Sequence, residues 1–428
     1  MTATLVEPAA RPAAAPAHLL VVDDNEVNRD LLSRRLRRLG HEVECAAGGA
    51  EALAMLAARE PDLVLLDVMM PDMNGYEVLE RIKQSESLRH VPVIMVSALD
   101  ELASVVRCIE LGAADYLPKP FDPVLLRARV GACLESKRLR DRERLHARSL
   151  ERELEIGREI QAGFFPESLP QPPGWEVAAL FRSARQVAGD FYDAFPVDRG
   201  RLVALVVGDV CDKGVGAALF MALFRSLLRA VAEQEEEGVA TPVRGEAAAV
   251  TAEVTADVTA DVTADGGAAR LLRAVSVTND YIARTHSRAN MFATLFVAAL
   301  DPATGALAYV NAGHEPALVL DAGGRVRAEL PPTGPAAGLL PGVPFAAARA
   351  RLAPGESLVV YTDGITEARA ADGSFYGEAR LVALLADEPP RAHGAERLLG
   401  RLLDSVRAHA AGAEQSDDIT SLAVVRHG

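Results

Sequence analysis

From His18 onward, short continuously apolar runs alternate with amphipathic stretches. HLLVVDD ends in two acids, and NRDLLSRRLRRLG follows as an amphipathic helix closed by Gly40. EVECA precedes the helical AEALAMLAARE, and DLVLLD precedes GYEVLERIKQS. VPVIMVSA, ELASVVRCIELG, ADYLPKP and FDPVLLRARVGACLE complete five strand–helix units. Uniformly apolar strands alternating with helices predict a five-stranded parallel sheet covered on both faces. Ligands of such sheets sit at the carboxyl ends of the strands.

Residues 124–164 have no Gly-Pro punctuation and are rich in Arg, Glu and Leu, which predicts one long helix. Leu134, Leu139, Leu145, Leu150, Leu154, Ile160 and Phe164 recur along it at a loosely heptad spacing. A coiled-coil homodimer through this linker is a candidate on that basis. Pro166 to Pro173 break the helix, and the remainder to Gly428 is strand-rich with two or three helices. That composition predicts an α+β layered domain. The expected organisation is a disordered tail (1–17), an α/β domain (18–136), a helical linker (137–165) and an α+β domain (166–428). Within the last, residues 233–266 hold EQEEEG and a TAEV-TADV-TADV-TADG repeat, read as a disordered insertion rather than a calcium site.

At 428 residues two or more domains are expected, and a net charge of −15 opposes nucleic acid as the main ligand. The interleaved acids Asp141 and Glu143 make KRLRDRERLHAR a solvated helix face. The four cysteines are far apart without CxxC pairing, which indicates a reducing compartment without zinc or disulfides. The N-terminus lacks the basic and apolar regions of a signal peptide. No apolar run approaches the ~20 residues that span a membrane. These features together predict a cytoplasmic protein that binds neither nucleic acid nor membrane.

Asp23, Asp24, Asp67, Ser97 and Lys119-Pro120 stand at successive strand ends of the first domain. Clustered carboxylates bind Mg²⁺. One carboxylate flanked by the metal and a lysine can attack a phosphoryl group. The Lys-Pro bond is a candidate cis peptide that would turn the ammonium inward. This set resembles the response-regulator receiver family, a flavodoxin-like doubly wound fold, over residues 18–136. The resemblance implies phosphorylation of Asp67 by a sensor histidine kinase. It also implies Mg²⁺ on Asp24, Asp67 and the Met69 carbonyl, with Asp23 helping through water. Ser97 and Lys119 would bind phosphoryl oxygens, and Tyr116 would be the switch aromatic.

Four acidic motifs punctuate the C-terminal half: AGDFYD (188–193), GDVCDKG (208–214), YTDG (361–364) and QSDDIT (415–420). Each alone could be a turn. Convergence of all four would make an oxygen-rich site for two hard cations, which activate a water for attack on phosphorus. No nucleophilic Cys or Ser with a paired His is evident. The motif order, with NAGH between, resembles the SpoIIE/RsbU branch of the PPM metal-dependent Ser/Thr phosphatases, an αββα layered fold, over roughly residues 154–428.

Carried over position by position, the resemblance implies that Asp209 would bridge two Mn²⁺ or Mg²⁺ ions and that the Val210 carbonyl would support one. Asp190 would bind one ion through water or directly, Asp363 and Asp417 would hold the other, and Asp418 would have a less defined role at the same site. Asp193 stands behind the ligands. Ala188 replaces the branch's usual glycine, and Asp212 adds a charge beside the metals. Cys211 reads as a bystander. His314 is either a general acid or a residue that holds a hairpin, and Arg185 is a candidate phosphate contact. PPTGPAAGLLPG (331–342) reads as a mobile flap.

The two resemblances together imply a receiver-controlled phosphoserine/phosphothreonine phosphatase. Its substrate would be a phosphorylated anti-sigma-factor antagonist of the STAS fold. The alternative is a non-catalytic partner-switching protein that binds a phosphoprotein or anti-sigma factor.

Overall fold

The computed structural model describes residues 16–98, 102–234, 262–387 and 394–428. Residues 1–15 of the tail expected to be disordered and most of the 233–266 insertion lie outside the described residues. Ala17 at the end of that tail is buried in the core instead, its carbonyl accepting from the Glu42 amide at 2.9 Å. The chain forms two compact units, Met1–Leu150 and Glu151–Gly428.

In the first unit the elements are β1 (His18–Val22), α1 (Glu26–Arg38), β2 (Glu42–Ala46), α2 (Gly49–Ala58), β3 (Leu63–Asp67), α3 (Gly75–Gln84), β4 (Val93–Ser97), α4 (Leu102–Glu110), β5 (Asp115–Pro118) and α5 (Pro123–Ala162). All strand pairs are parallel, in the order β2-β1-β3-β4-β5. The parallel pairing is that expected from the apolar strands, and the order is the doubly wound one that the receiver resemblance implies. β1, β3 and β4 are buried along their whole length, because helices cover both faces. Leu19, Val21, Leu65 and Ile94 face one core with Leu32 and Leu126. Leu20, Val64, Leu66 and Met95 face the other with Leu56 and Ile82. Asn25 caps α1, its Oδ1 accepting from the Val27 and Asn28 amides, and Asn74 caps α3 in the same way. α5 is the long helix predicted, beginning in the first unit and ending in the second.

The second unit is antiparallel. It contains β6 (Trp175–Arg182), β7 (Phe191–Val197), β8 (Leu202–Val210), α6 (Val215–Glu233), α7 (Val262–Thr285), β9 (Ala293–Leu300), β10 (Ala306–Ala312), β11 (Ala317–Leu320) and β12 (Val326–Leu330). β13 (Ala348–Arg351), β14 (Ser357–Tyr361), α8 (Asp363–Thr366), α9 (Glu378–Asp387), α10 (Gly394–Ala410) and β15 (Ile419–Arg426) follow. One sheet has the order β13-β10-β9-β8-β7 and the other β12-β11-β14-β15-β6. Leu205, Phe296, Val319, Val360 and Leu422 fill the space between the sheets. α6 and α7 cover the outer face of the first sheet, and α9 and α10 cover that of the second. The result is the αββα sandwich. Glu233 ends α6 and Val262 opens α7, so the borders of the expected insertion are helical.

Two expectations change. α6 has the length and composition of a membrane span, although Arg225 and Arg229 break its apolar run. Its Ala217, Met221, Phe224 and Leu228 stripe belongs to the core beneath the sheet. Residues 331–342 are tied down rather than loose. Thr333 N–H bonds the Asn311 carbonyl at 2.7 Å, Ala337 pairs with Ala293, and Gly338 N–H bonds Asn279 Oδ1 at 2.8 Å. Only Leu339 and Leu340 at its tip are large, apolar and exposed.

Two candidate sites at strand ends

Parallel pairing puts the carboxyl ends of β1, β3, β4 and β5 on one edge of the first sheet. Asp23 follows β1, Asp67 ends β3, Ser97 ends β4 and Lys119 follows β5. Oxygens of Asp23, Asp24 and Asp67 lie within 4.8 Å of one another. Lys119 Nζ is 2.8 Å from Asp23 Oδ2 and 2.8 Å from Asp67 Oδ1, and the Lys119-Pro120 bond is cis. Burial raises the Asp67 carboxyl, and Asp23 adds to the rise against the pull of Lys119. Burial would lower the Lys119 ammonium, but the two carboxylates prevail and raise it. Ser97 is buried beside this group, and Tyr116 is half-buried against the core under α4. Met69 lies two residues beyond β3 with its side chain exposed. Gly75 lets α3 approach, since a Cβ there would sit 2.1 Å from the Asp67 carbonyl oxygen.

Antiparallel pairing builds the second site. β7 starts where β8 ends, and β15 starts where β14 ends. Asp190 therefore stands beside Asp209 on one sheet, and Asp363 beside Asp417 and Asp418 on the other. Thr362 joins the two sheets. Its hydroxyl donates to Asp190 Oδ2 at 2.8 Å and accepts from the Thr420 amide at 3.1 Å. Gly364 is required at the turn, because a Cβ there would meet the Asp418 carbonyl oxygen at 1.8 Å. Val210 closes β8, its side chain buried in the core under α6.

The carboxyls repel one another in a poorly hydrated place. Burial and then Asp363 push Asp209 up to about 7. Burial and then Asp417 push Asp363 up to about 6. Asp190 is raised well above its ordinary value by burial and by Asp209. A divalent cation would reverse these terms. The all-oxygen donor set suits Mg²⁺ or Mn²⁺, so the residues fit such ions. The spacing is looser than in the first site. Among the described residues, only Asp23, Asp24 and Asp67 form a trio within 4.8 Å.

The surrounding residues divide by what they touch. Asp418 is buried and accepts from the Ala184 amide at 2.7 Å and the Gly189 amide at 2.8 Å, so it anchors the loop before Asp190. Asp193 faces away from the carboxylate group and pairs with Arg225 at 2.9 Å and Arg229 at 3.2 Å. Asp212 has φ +72° and accepts from its neighbour's amide. Cys211 Sγ accepts from the Phe292 amide at 3.2 Å, and burial raises its thiol. His314 is buried with Nδ1 2.9 Å from Thr294 Oγ1, and burial holds its imidazolium down to about 4. The ring contact to Thr294 and the His314 amide on Asn311 Oδ1 at 2.8 Å tie the turn after β10 to β9 and β10. Arg185 is exposed on the loop before Asp190.

Three further residues shape the second site without standing out in the sequence. Thr362 reads as the last β-branched residue of a strand. Lys213 lies inside a recognised motif, and its ammonium is 2.7 Å from Asp417 Oδ2. Gln161 is buried near the end of α5, its amide donating to the Ala188 carbonyl at 2.7 Å and accepting from the Ala188 amide at 3.0 Å. A polar residue on the inward face of that helix was its one sequence signal.

Comparison with known proteins agrees with both units. A family model for Stage II sporulation protein E (SpoIIE) matches residues 199–427, and one for the response regulator receiver domain matches residues 19–131. The motif at 188–193 precedes the first of these matches. Protein IcfG of Synechocystis sp. is 42% identical over 275 residues, covering 64% of this chain and 42% of that protein. Response regulator PleD of Caulobacter vibrioides is 44% identical over 131 residues, covering 30% of this chain and 29% of that protein. The chain thus spans less than half the length of these curated relatives. Among solved structures, the SiaA-PP2C domain of Pseudomonas aeruginosa aligns with a TM-score of 0.50 at 18% identity, over 66% of this chain and 99% of that chain. At that identity the likeness concerns the fold.

Proposed function

The chain belongs to the SpoIIE family and carries a receiver domain ahead of the family's phosphatase domain, and from this premise we propose a phosphorylation-controlled phosphoserine/phosphothreonine protein phosphatase. The observation that carries the reading is the meeting of carboxylates from four separate motifs at the open ends of two facing sheets. Asp190, Asp209, the Val210 carbonyl, Asp363 and Asp417 would hold two Mn²⁺ or Mg²⁺ ions, with Asp418 fixing the Asp190 loop. Such ions supply Lewis-acid activation of a water and neutralise phosphate oxygens. The chain's own contribution is orientation. Thr362 fixes one oxygen of Asp190, and Gln161 fixes the backbone two residues before it.

At the other end, a sensor histidine kinase would phosphorylate Asp67, with Mg²⁺ held by Asp23, Asp24, Asp67 and the Met69 carbonyl. Ser97 and Lys119 would bind the phosphoryl oxygens, and Tyr116 would report the change. α5, directly or through dimerisation, would carry it to the Gln161–Ala188 clasp. The family resemblance supports a phosphorylated STAS-type anti-sigma-factor antagonist as substrate and the cytoplasm as the place of work. The test is Mn²⁺-dependent phosphate release from such a protein, with and without beryllofluoride. Asp363→Ala should abolish release. Full turnover in that variant refutes the metal assignment.

One observation favours the second reading, a non-catalytic partner-switching protein. The Lys213 ammonium lies 2.7 Å from Asp417 and could substitute for a metal's charge there. Titration of Mn²⁺ with p-nitrophenyl phosphate separates the two readings, since only the enzyme turns the ester over.

A further inference from the structure

We infer that a pocket beside the carboxylate group is a specificity subsite for a large apolar side chain of the phosphorylated polypeptide, an inference that rests on the phosphatase reading above. The pocket has a volume of 320 Å³ and lies between the end of α10, the loop leading to β15, and α8. Its wall includes Ala368, Val406, Ala410, Ala413 and Ile419. Gly364 and Asp417 also line it, and they adjoin Asp363 and Asp418 in the chain. The pocket thus shares Asp417 with the carboxylate group.

The loop is built to keep this shape. Ala411 at φ +46° and Gly412 at φ +86° turn the chain left-handed twice in succession. An alanine adopts that conformation only when its surroundings impose it. The turn is closed by the Ala411 amide on the Arg407 carbonyl at 3.0 Å and the Ala413 amide on the Ala410 carbonyl at 2.9 Å. It holds Ala413 as the outer wall and then delivers Asp417 to the carboxylates.

Chemistry selects the occupant. The volume falls at the low end of ligand clefts, about 300–1,000 Å³, which suits a side chain rather than a cofactor. The methyl part of the wall favours a leucine- or methionine-sized group next to the phosphorylated residue, and Gln415 and Ser416 form part of its polar rim. Arg369 and Arg407 also line the pocket, together with one acid, Glu414, besides Asp417. Arg407 is exposed without an ion pair among the described residues, and the Arg369 guanidinium lies over the Phe375 ring. In an acidic chain, two guanidiniums beside a carboxylate site complement a phosphorylated, acidic polypeptide.

The experiment uses the full chain and synthetic phosphoserine peptides in which Leu or Ala is scanned on either side of the phosphoserine. One Leu position should raise kcat/KM at least tenfold over Ala, because a single methylene in an apolar pocket is worth about 10–200-fold. Ala410→Trp and Ala413→Trp, which fill the pocket from two walls, should each remove that gain. Turnover of p-nitrophenyl phosphate should stay within about twofold in both, which controls for folding. Equal rates for Leu and Ala at every position, or a gain that survives both variants, overturns the inference. Absence of p-nitrophenyl phosphate turnover by the wild type refutes instead the phosphatase reading. The pocket is then judged by fluorescence polarisation of labelled peptides. A tenfold Leu preference lost in Ala410→Trp supports it, and equal binding overturns it.

Discussion

Single residues in the second site trade stability for charge density. Asp209, raised to about 7, binds a proton in the folded state that the unfolded chain has already released. Stability of the metal-free protein therefore falls as pH rises from about 4 through 7, and returns as pH falls back. Asp209→Asn should raise the melting temperature in EDTA at pH 8, with a gain that shrinks toward pH 5, while phosphatase activity is lost. Differential scanning fluorimetry beside a turnover assay checks both halves. His314 has the opposite sign. Its folded value, about 4, lies below the ordinary 6.5, so the unfolded state takes up the extra proton. Stability is intact above pH 6.5 and is lost as pH falls toward 4, by on the order of 3 kcal/mol. Urea midpoints for His314→Gln should show a shallower acid slope than wild type. An unchanged slope would mean that the imidazole is not buried neutral. At this scale the acidic ligand candidates were legible because they stand in short acidic motifs at the ends of apolar strands. Thr362 was not, because its partner Asp190 lies 172 residues away and nothing local announces the bond.

Among the elements, α5 is the one whose two ends do different things. Its start packs Leu126, Val130 and Leu134 into the first unit, and its end inserts Gln161 beside Ala188 in the second. Gln161→Ala leaves the buried Ala188 amide and carbonyl without partners, which costs about 1–3 kcal/mol. The expected outcome is weaker Mn²⁺ dependence of turnover and loss of any response to beryllofluoride. A variant that keeps both would show that the clasp only stabilises the fold. Helix and strand positions were readable from periodicity. The pinning of residues 331–342 was not, since Gly and Pro mark a turn but do not say which side chains will hold it. The Asn279 and Asp280 side chains do so from α7, joined by the backbone carbonyl of Asn311 on β10.

For the whole molecule, two separate acidic sites of similar chemistry, the proposed input and the proposed output, lie in units of different construction. Asp67→Asn should leave basal p-nitrophenyl phosphate turnover intact and abolish any change on adding beryllofluoride. A response that persists would place the input elsewhere. The net charge of −15 makes cations welcome at both sites but distinguishes neither. The parallel unit was determined almost wholly by sequence. Uniformly apolar strands alternating with helices admit few topologies, and a parallel sheet gathers all strand ends on one edge, so Asp23, Asp67, Ser97 and Lys119 had to meet. In the antiparallel unit the sequence determined the strands and the acids but not their neighbours. Which strand ends face one another depends on pairing across long gaps and on how two sheets stack. Only the tertiary structure could set Thr362 against Asp190, turn Asp193 away toward Arg225 and Arg229, and open an apolar pocket beside Asp417.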